Sequence, residues 1–316
     1  MEDLLSMPRG SPTSQLLLEN KGSINDLPDD SLVKILSHIL TKDVATSLLS
    51  KRWKFLWKYT TRLEYDQEYH YAKRTGFSRF VDKYLLSHQR PAILESLHFK
   101  FKTRYAYREI GLWIRTAVSG VRIRELTLES GDILIQLPLR LLTCETLVIL
   151  KLKGWINLNI PLTASLPSLK TLHIPSTYEH FSRLLSSCLF LVDLMLEQRT
   201  SSAMSKLDIV IPSLVRLFIR TVTKKDNGLR YSPHEKSIPK VMIKAPSLKY
   251  LNIDDKGNEF DVIKDLFQVV EGNVKANETS TKVFLRYLTS SVKRLLLYSL
   301  RSQMQHLSTA INNKTK

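Results

Sequence analysis

Cysteine is nearly missing from this chain: Cys144 and Cys188 are the only two among 316 residues. Two thiols cannot build a metal site alone, and neither belongs to a CxxC pair. Glycine is scarce as well, with ten residues, which leaves little material for loops that cradle nucleotide phosphates. There is no GxSxG elbow and no HExxH helix, and the eight histidines are dispersed. No apolar run approaches the ~20 residues that span a bilayer. The amino terminus "MEDLLSMPRGSPTSQLLLENKG" opens with acids and lacks the charged-then-apolar order of a signal peptide. The expectation is an intracellular protein, cytoplasmic and/or nuclear, that is not an enzyme and carries no cofactor. On that reading the sequons at Asn277 and Asn313 are chance matches.

Acidic residues are also in deficit, 30 against 47 Lys and Arg, for a net charge of +17. Such an excess raises nucleic acid as a partner, but phosphate binding needs the charge clustered on one surface. The placement of the charge therefore decides.

Residues 22–60 hold three short apolar periodicities. In "INDLPDDSLVKILSHILTKD", Leu32, Ile35, Leu36, Ile39 and Leu40 form one helical stripe behind Pro28, Asp29 and Asp30, residues suited to a first turn. Thr41 is placed to cap a second helix carrying Val44, Ala45, Leu48 and Leu49. Trp53, Leu56 and Trp57 then share one face of a third. About 35 residues in three helices fall below the size at which a core supports itself, so a partner surface is expected.

The stretch "LPDDSLVKILSHILTKDVATSLLSKRWKFLWK" resembles an F-box of the kind found in plant F-box/FBD/leucine-rich-repeat proteins. The resemblance implies binding to the Skp-family adaptor of cullin–RING ubiquitin ligases. It assigns adaptor contacts to Leu27, Pro28, Leu32, Ile35, Leu36, Val44, Leu48, Arg52, Trp53 and Trp57, with Lys51 and Arg52 suiting an acidic adaptor surface. The chain departs from the family pattern at "ILTKDVATS": Leu40 replaces a proline, and one residue is missing before Val44. A one-residue deletion turns the following helix by about 100°.

Farther on, "FSRFVDKYLL" and "REIGLWIRTAV" read as core-facing helices through Phe77, Phe80, Val81, Tyr84 and Leu85, and through Ile110, Trp113, Ile114, Ala117 and Val118. From residue 93 an LxxLxL pattern recurs: "LESLHF", "IRELTL", "LVILKL", "LKTLHI", "LVDLML", "LVRLFI" and "LKYLNI", with weaker copies "VVEGNV" and "VKRLLL". A unit of this kind buries its apolar side only by stacking on neighbours. The fold expected is α/β: an N-terminal three-helix F-box followed by an irregular leucine-rich-repeat solenoid with a curved parallel sheet. Residues 1–21 read as a disordered tail, 61–92 as a connecting helical segment, 93–300 as the solenoid and 301–316 as a C-terminal cap and tail, with the resembling family's FBD domain absent or truncated.

Cys144 and Cys188 occupy the same repeat slot two repeats apart, roughly 10 Å in a parallel sheet, too far for a disulfide. Both are expected to be reduced and buried. The strand positions expected to face a target include His98, Lys100, Lys151, Lys153, His173, Met195, Phe218 and Arg220. Counted with Glu129, Glu197 and Asp254, that face is almost neutral, so the +17 lies elsewhere. Three readings follow. The favoured one is a target-recognition subunit of a ubiquitin ligase. The second is an adaptor-independent binding scaffold with a decayed F-box, prompted by the deletion before Val44. The third, a nucleic-acid-binding solenoid, is disfavoured by the neutral face.

Overall fold

A computed structural model describes residues 24–39, 41, 51–70, 74–87, 93–102, 107–119, 122–131, 133–175, 181–199, 206–222, 240–254, 259–264, 266, 268–288 and 292–299. The expected N-terminal tail, the expected C-terminal cap, and the body of the expected second short helix with Val44 and Leu48 lie outside the described residues.

Two of the three expected front helices are described. Helix α1 (Asp29–Leu36) starts after Pro28, and its two leading aspartates complement the helix dipole. Helix α2 (Lys51–Leu56) continues into a 3-10 turn at Trp57–Tyr59. The chain then enters strand β1 (Arg62–Asp66), helix α3 (Arg74–Ser87), β2 (Ile93–Phe101), helix α4 (Tyr107–Ser119) and β3 (Arg122–Ser130). Next come β4 (Ile135–Gln136), β5 (Ile149–Lys153), β6 (Ile156–Asn157), β7 (Thr171–Pro175), helix α5 (Phe181–Ser186), β8 (Asp193–Arg199) and β9 (Lys206–Val210). The last described elements are β10 (Arg216–Val222), β11 (Lys240–Lys244), β12 (Tyr250–Asp254), β13 (Glu259–Lys264), β14 (Glu271–Ala276), helix α6 (Glu278–Leu288) and β15 (Arg294–Ser299). Among the described residues no helix is long and apolar enough to cross a membrane.

Ten strands form one parallel sheet in the order β1-β2-β3-β5-β7-β8-β10-β12-β14-β15. All nine copies of the sequence repeat fall on it, and its strands follow one another in chain order, with β4, β6, β9, β11 and β13 set in two smaller sheets. The connection of a parallel pair has to return over one face, and here each return covers the same apolar side. Leu63, Leu97, Leu126, Leu150, Leu172, Leu194, Leu217 and Leu251 are Cα partners across the sheet, every one nearly inaccessible to solvent. The row continues with Gly272, where the Leu295 side chain fills the space: a Cβ there would lie 2.8 Å from Leu295 Cδ1.

Beneath this row the returning chain packs α3 and α4 at one end. Trp113 lies parallel to Phe99 and Phe101, meets Phe77 edge-on at 5.8 Å, and donates from Nε1 to Asp82 Oδ1 at 2.7 Å. Farther along, β9, β11 and β13 make a second parallel sheet, and β4 pairs with β6. Leu207, Ile209, Val241 and Ile243 turn inward from it. After β5 the backbone passes so close to Ser130 that a Cβ on Gly154 would sit 1.7 Å from that residue's carbonyl oxygen, and its φ of 89° suits glycine alone.

Both cysteines are free. Cys188 is buried and Cys144 half-buried, and burial pushes the Cys188 thiol up to about 11, which keeps it protonated and unreactive. The segment expected to be a helical connection contains β1, which joins the sheet as its first strand.

Tyr65 on β1 is stacked on Phe99 at 5.3 Å and fully enclosed, yet among the described residues its hydroxyl has no hydrogen-bond partner. Burial raises its phenol far above the ordinary range. Tyr65→Phe keeps the stacking and removes the stranded hydroxyl, so it should stabilise the protein by about 1 kcal/mol. Chemical denaturation of the two proteins tests this, and a destabilised variant would contradict it.

Candidate protein-interaction surfaces

The first surface is the front helical unit. Leu32, Leu36, Trp53, Leu56 and Trp57 form a separate hydrophobic cluster, with Val33 and Ile35 packed beside it. The two tryptophans therefore point into the unit itself. Trp53 Nε1 donates to Asn25 Oδ1 at 2.7 Å. Arg52 donates from Nε to Asp29 Oδ1 at 2.8 Å and from Nη2 to the Leu27 carbonyl at 2.9 Å, and also bonds the Asn25 carbonyl. Its guanidinium thus clamps the segment leading into α1.

Of the ten sequence-selected residues here, Leu27 and Pro28 are exposed, Ile35 is half-buried, and Leu32, Leu36, Trp53 and Trp57 are interior. Arg52 keeps about 40% of its side chain exposed while holding Asp29. Val44 and Leu48 are outside the described residues. Two exposed aromatics were not singled out from the sequence: Phe55 at 65% and Tyr59 at 47%. Their spacing was the available signal, since they stand four apart on the side of the helix opposite the tryptophans.

The helical unit is tied to the sheet through hydroxyls. Thr41 Oγ1 is buried and accepts from the Glu64 backbone N–H at 2.7 Å; Ser37 Oγ accepts from the Thr61 N–H at 3.3 Å while donating to the Val33 carbonyl. These bonds cover the free edge of β1, which would otherwise leave its amides unpaired.

The second surface is the sheet face opposite the leucine row. Glu64, His98, Thr127, Lys151, His173, Met195, Phe218, Asn252, Asn273 and Leu296 are consecutive Cα partners along its middle. Lys100, Lys153 and Arg220 belong to the neighbouring row, so all eight expected strand positions share this face. In the first half the charges pair within the sheet. Lys100 meets Asp66 at 2.7 Å, Lys151 meets Glu125 at 2.7 Å, and Lys153 meets Glu129 at 2.8 Å. His98 sits between Glu64 and Glu129, at 3.8 and 3.5 Å. The bond to Asp66 raises the Lys100 ammonium's pKa, holding it charged. His173 is shifted the other way, first by burial and then by Lys151 and Lys153, so its imidazole is held neutral. A groove of about 710 Å³ opens over the second half of the face, around Met195, Phe218, Asn252 and Asn273.

An F-box domain model matches residues 24–64, from the front helices into the first half of β1. An F-box/FBD/LRR-repeat protein of Arabidopsis thaliana is 38% identical over 291 residues, covering 89% of this chain and 66% of that protein. A putative F-box/FBD/LRR-repeat protein of the same plant is 35% identical over 316 residues, covering 73% and 72%. An F-box/LRR-repeat protein, also from Arabidopsis thaliana, is 38% identical over 254 residues, covering 75% and 66%. The chain thus spans about two thirds of the length of these relatives, 66% of the first. No solved structure matches it.

Two measurements test this geometry. Thr41→Val leaves the Glu64 amide without an acceptor and should destabilise the protein by about 1–3 kcal/mol, whereas Thr41→Ser, which keeps the oxygen, should recover most of it; equal losses in thermal denaturation would deny the bond that role. The lowered pKa of His173 means that the unfolded chain binds its proton more tightly than the folded one, so stability is lost as pH falls below the ordinary histidine value of 6.5. His173→Gln should accordingly gain on the wild type as solutions are acidified through that value, measured as the difference in Tm; a difference independent of pH would refute the assignment.

Proposed function

The chain belongs to the plant F-box/FBD/LRR-repeat protein family, and from that premise we propose that it is the target-recognition subunit of a cullin–RING ubiquitin ligase. In this reading the helical unit docks a Skp-family adaptor, and the ten strands are the ladder of a leucine-rich-repeat solenoid that holds a target protein. The subunit performs no bond chemistry. It raises the effective concentration of target lysines beside the ubiquitin carrier.

The observation that carries the reading is the apolar exposure of so small a unit. Ile24, Leu27, Ile39, Phe55 and Tyr59 are 38–65% exposed on a body of two described helices and their connections. Large apolar and aromatic side chains left exposed on so small a unit mark a surface built to be covered. The adaptor contacts proposed from the sequence divide accordingly. Leu27, Pro28 and Ile35 offer surface; Leu32, Leu36, Trp53 and Trp57 support it from beneath; Arg52 fixes the loop that presents Leu27. Val44 and Leu48 remain proposed contacts on the second helix.

A pull-down with purified Skp-family adaptor is the test. Wild-type protein should be retained, and Leu27→Asp and Phe55→Asp should each weaken retention by about 10-fold or more while leaving Tm within a few degrees of wild type. Wild-type protein that ignores the adaptor would leave the scaffold reading in its place.

A further inference from the structure

We infer that the target is read by the second half of the sheet face, which takes an extended, uncharged peptide segment bearing a bulky apolar side chain and a hydrogen-bond donor. The inference rests on the target-recognition reading above and adds to it where on the face the target sits and which chemistry it presents.

The first observation is a division of the face. From β1 to β5 its charged side chains already satisfy one another through the ion pairs at Asp66, Glu125 and Glu129. A partner seated there would have to displace those pairs or strip their water without replacing it. From β7 to β15 the middle row changes character: His173, Met195, Phe218, Asn252, Asn273 and Leu296 follow one another with no acid and no lysine or arginine. Burial and the nearby lysines hold His173 neutral.

The second observation is the groove. Its floor is this neutral row, and one wall is made by Asp193–Arg216 and Glu271–Arg294, with Tyr250 between them. Those charges are matched inside the wall: Arg216 Nη2 donates to Asp193 Oδ2 at 2.7 Å, and Arg294 Nη1 lies 2.9 Å from Glu271 Oε1. Among the described lining residues a charged occupant finds no free counter-charge, whereas an apolar one covers exposed Tyr250 and Leu296, 43% and 40% accessible. Complementarity of charge therefore selects a neutral partner.

The third observation supplies polarity. Among the described residues Asn273 Oδ1 is shut off from solvent and accepts no hydrogen bond. A buried acceptor left without a donor is unfavourable, and because Asn273 lines the groove, turning its amide outward lets an N–H or O–H from an occupant relieve it. The length follows from the strands. The groove crosses β7, β8, β10, β12, β14 and β15, five spacings of about 4.8 Å, or roughly 24 Å, the reach of about seven extended residues.

Random short peptides displayed on phage and selected on the full-length chain supply the probe. Selected sequences should share a Trp, Phe, Leu or Met and lack charge around it. Their synthetic versions should bind with little dependence on salt, by fluorescence anisotropy. Phe218→Glu and Leu296→Lys should each weaken binding by about 10-fold or more. Asn273→Leu should weaken it several-fold without lowering Tm, and Lys151→Ala and Lys153→Ala should not matter. Three outcomes overturn the inference: no enriched consensus, a charged consensus whose binding collapses in salt, or a neutral one lost with Lys151→Ala but kept with Phe218→Glu. Adaptor retention of Phe218→Glu, measured in parallel, separates the two readings. Peptide binding without adaptor binding leaves the groove standing and removes the ligase role, and the reverse removes only the groove.

Discussion

The register of the ten-stranded ladder is the constraint on which the rest of the molecule depends. Each strand alternates faces, so shifting one strand by a single residue would turn its leucines to solvent and its polar residues into the core. The uninterrupted run of partners from Leu63 to Leu251 forbids that shift at every step. Because the inward row is fixed, the outward row is fixed with it. His98, Lys151, Met195 and Phe218 lie in one line because leucines beside them are buried in another.

This ordering explains how a strongly basic chain presents a balanced face. Neighbouring strands place opposite charges opposite each other, at Lys100 and Asp66 or Arg216 and Asp193, and the pairs neutralise the surface from within. The excess of 17 positive charges is carried by the rest of the chain. A tracking groove for phosphates needs unpaired cations in a row, and the face has instead in-plane pairs followed by an uncharged middle row.

Much of this was legible in the sequence, and the parts that were not have specific physical reasons. The LxxLxL repeats located nine strands because a period of two with leucine at fixed positions is a strong signal. Strand β1, "RLEYD", escaped notice because it carries one leucine and one tyrosine without the full motif. Strands β9, β11 and β13 are just as short, and their alternation, as in "KVMIK", is flanked by charges that read as loop. In the front unit Leu32, Ile35 and Leu36 fall on α1 as the stripe requires, whereas Ile39 lies past its end and is exposed; periodicity, besides, cannot say whether a buried-type stripe closes on itself or on a partner. The structure turns Trp53 and Trp57 inward and leaves Phe55 and Tyr59 outside. Arg52 presents the same ambiguity: a basic residue beside tryptophans suits an acidic partner, yet Asp29, twenty-three residues earlier, claims it.

The joint between the two parts has a consequence for how they act together. A helical unit this small, attached only by a flexible linker, would swing freely relative to the sheet. Here the linker is short, and the β1 edge is bonded through Thr41 and Ser37 to the helical unit. The same bonds protect an edge strand from pairing with another chain and set the angle at which the face is presented. An edge that needs covering and a domain that needs orienting are thus satisfied by two hydroxyls. Substituting an apolar cap of equal volume would preserve the packing but lose the direction, because only an acceptor placed opposite the Glu64 amide specifies how the unit sits.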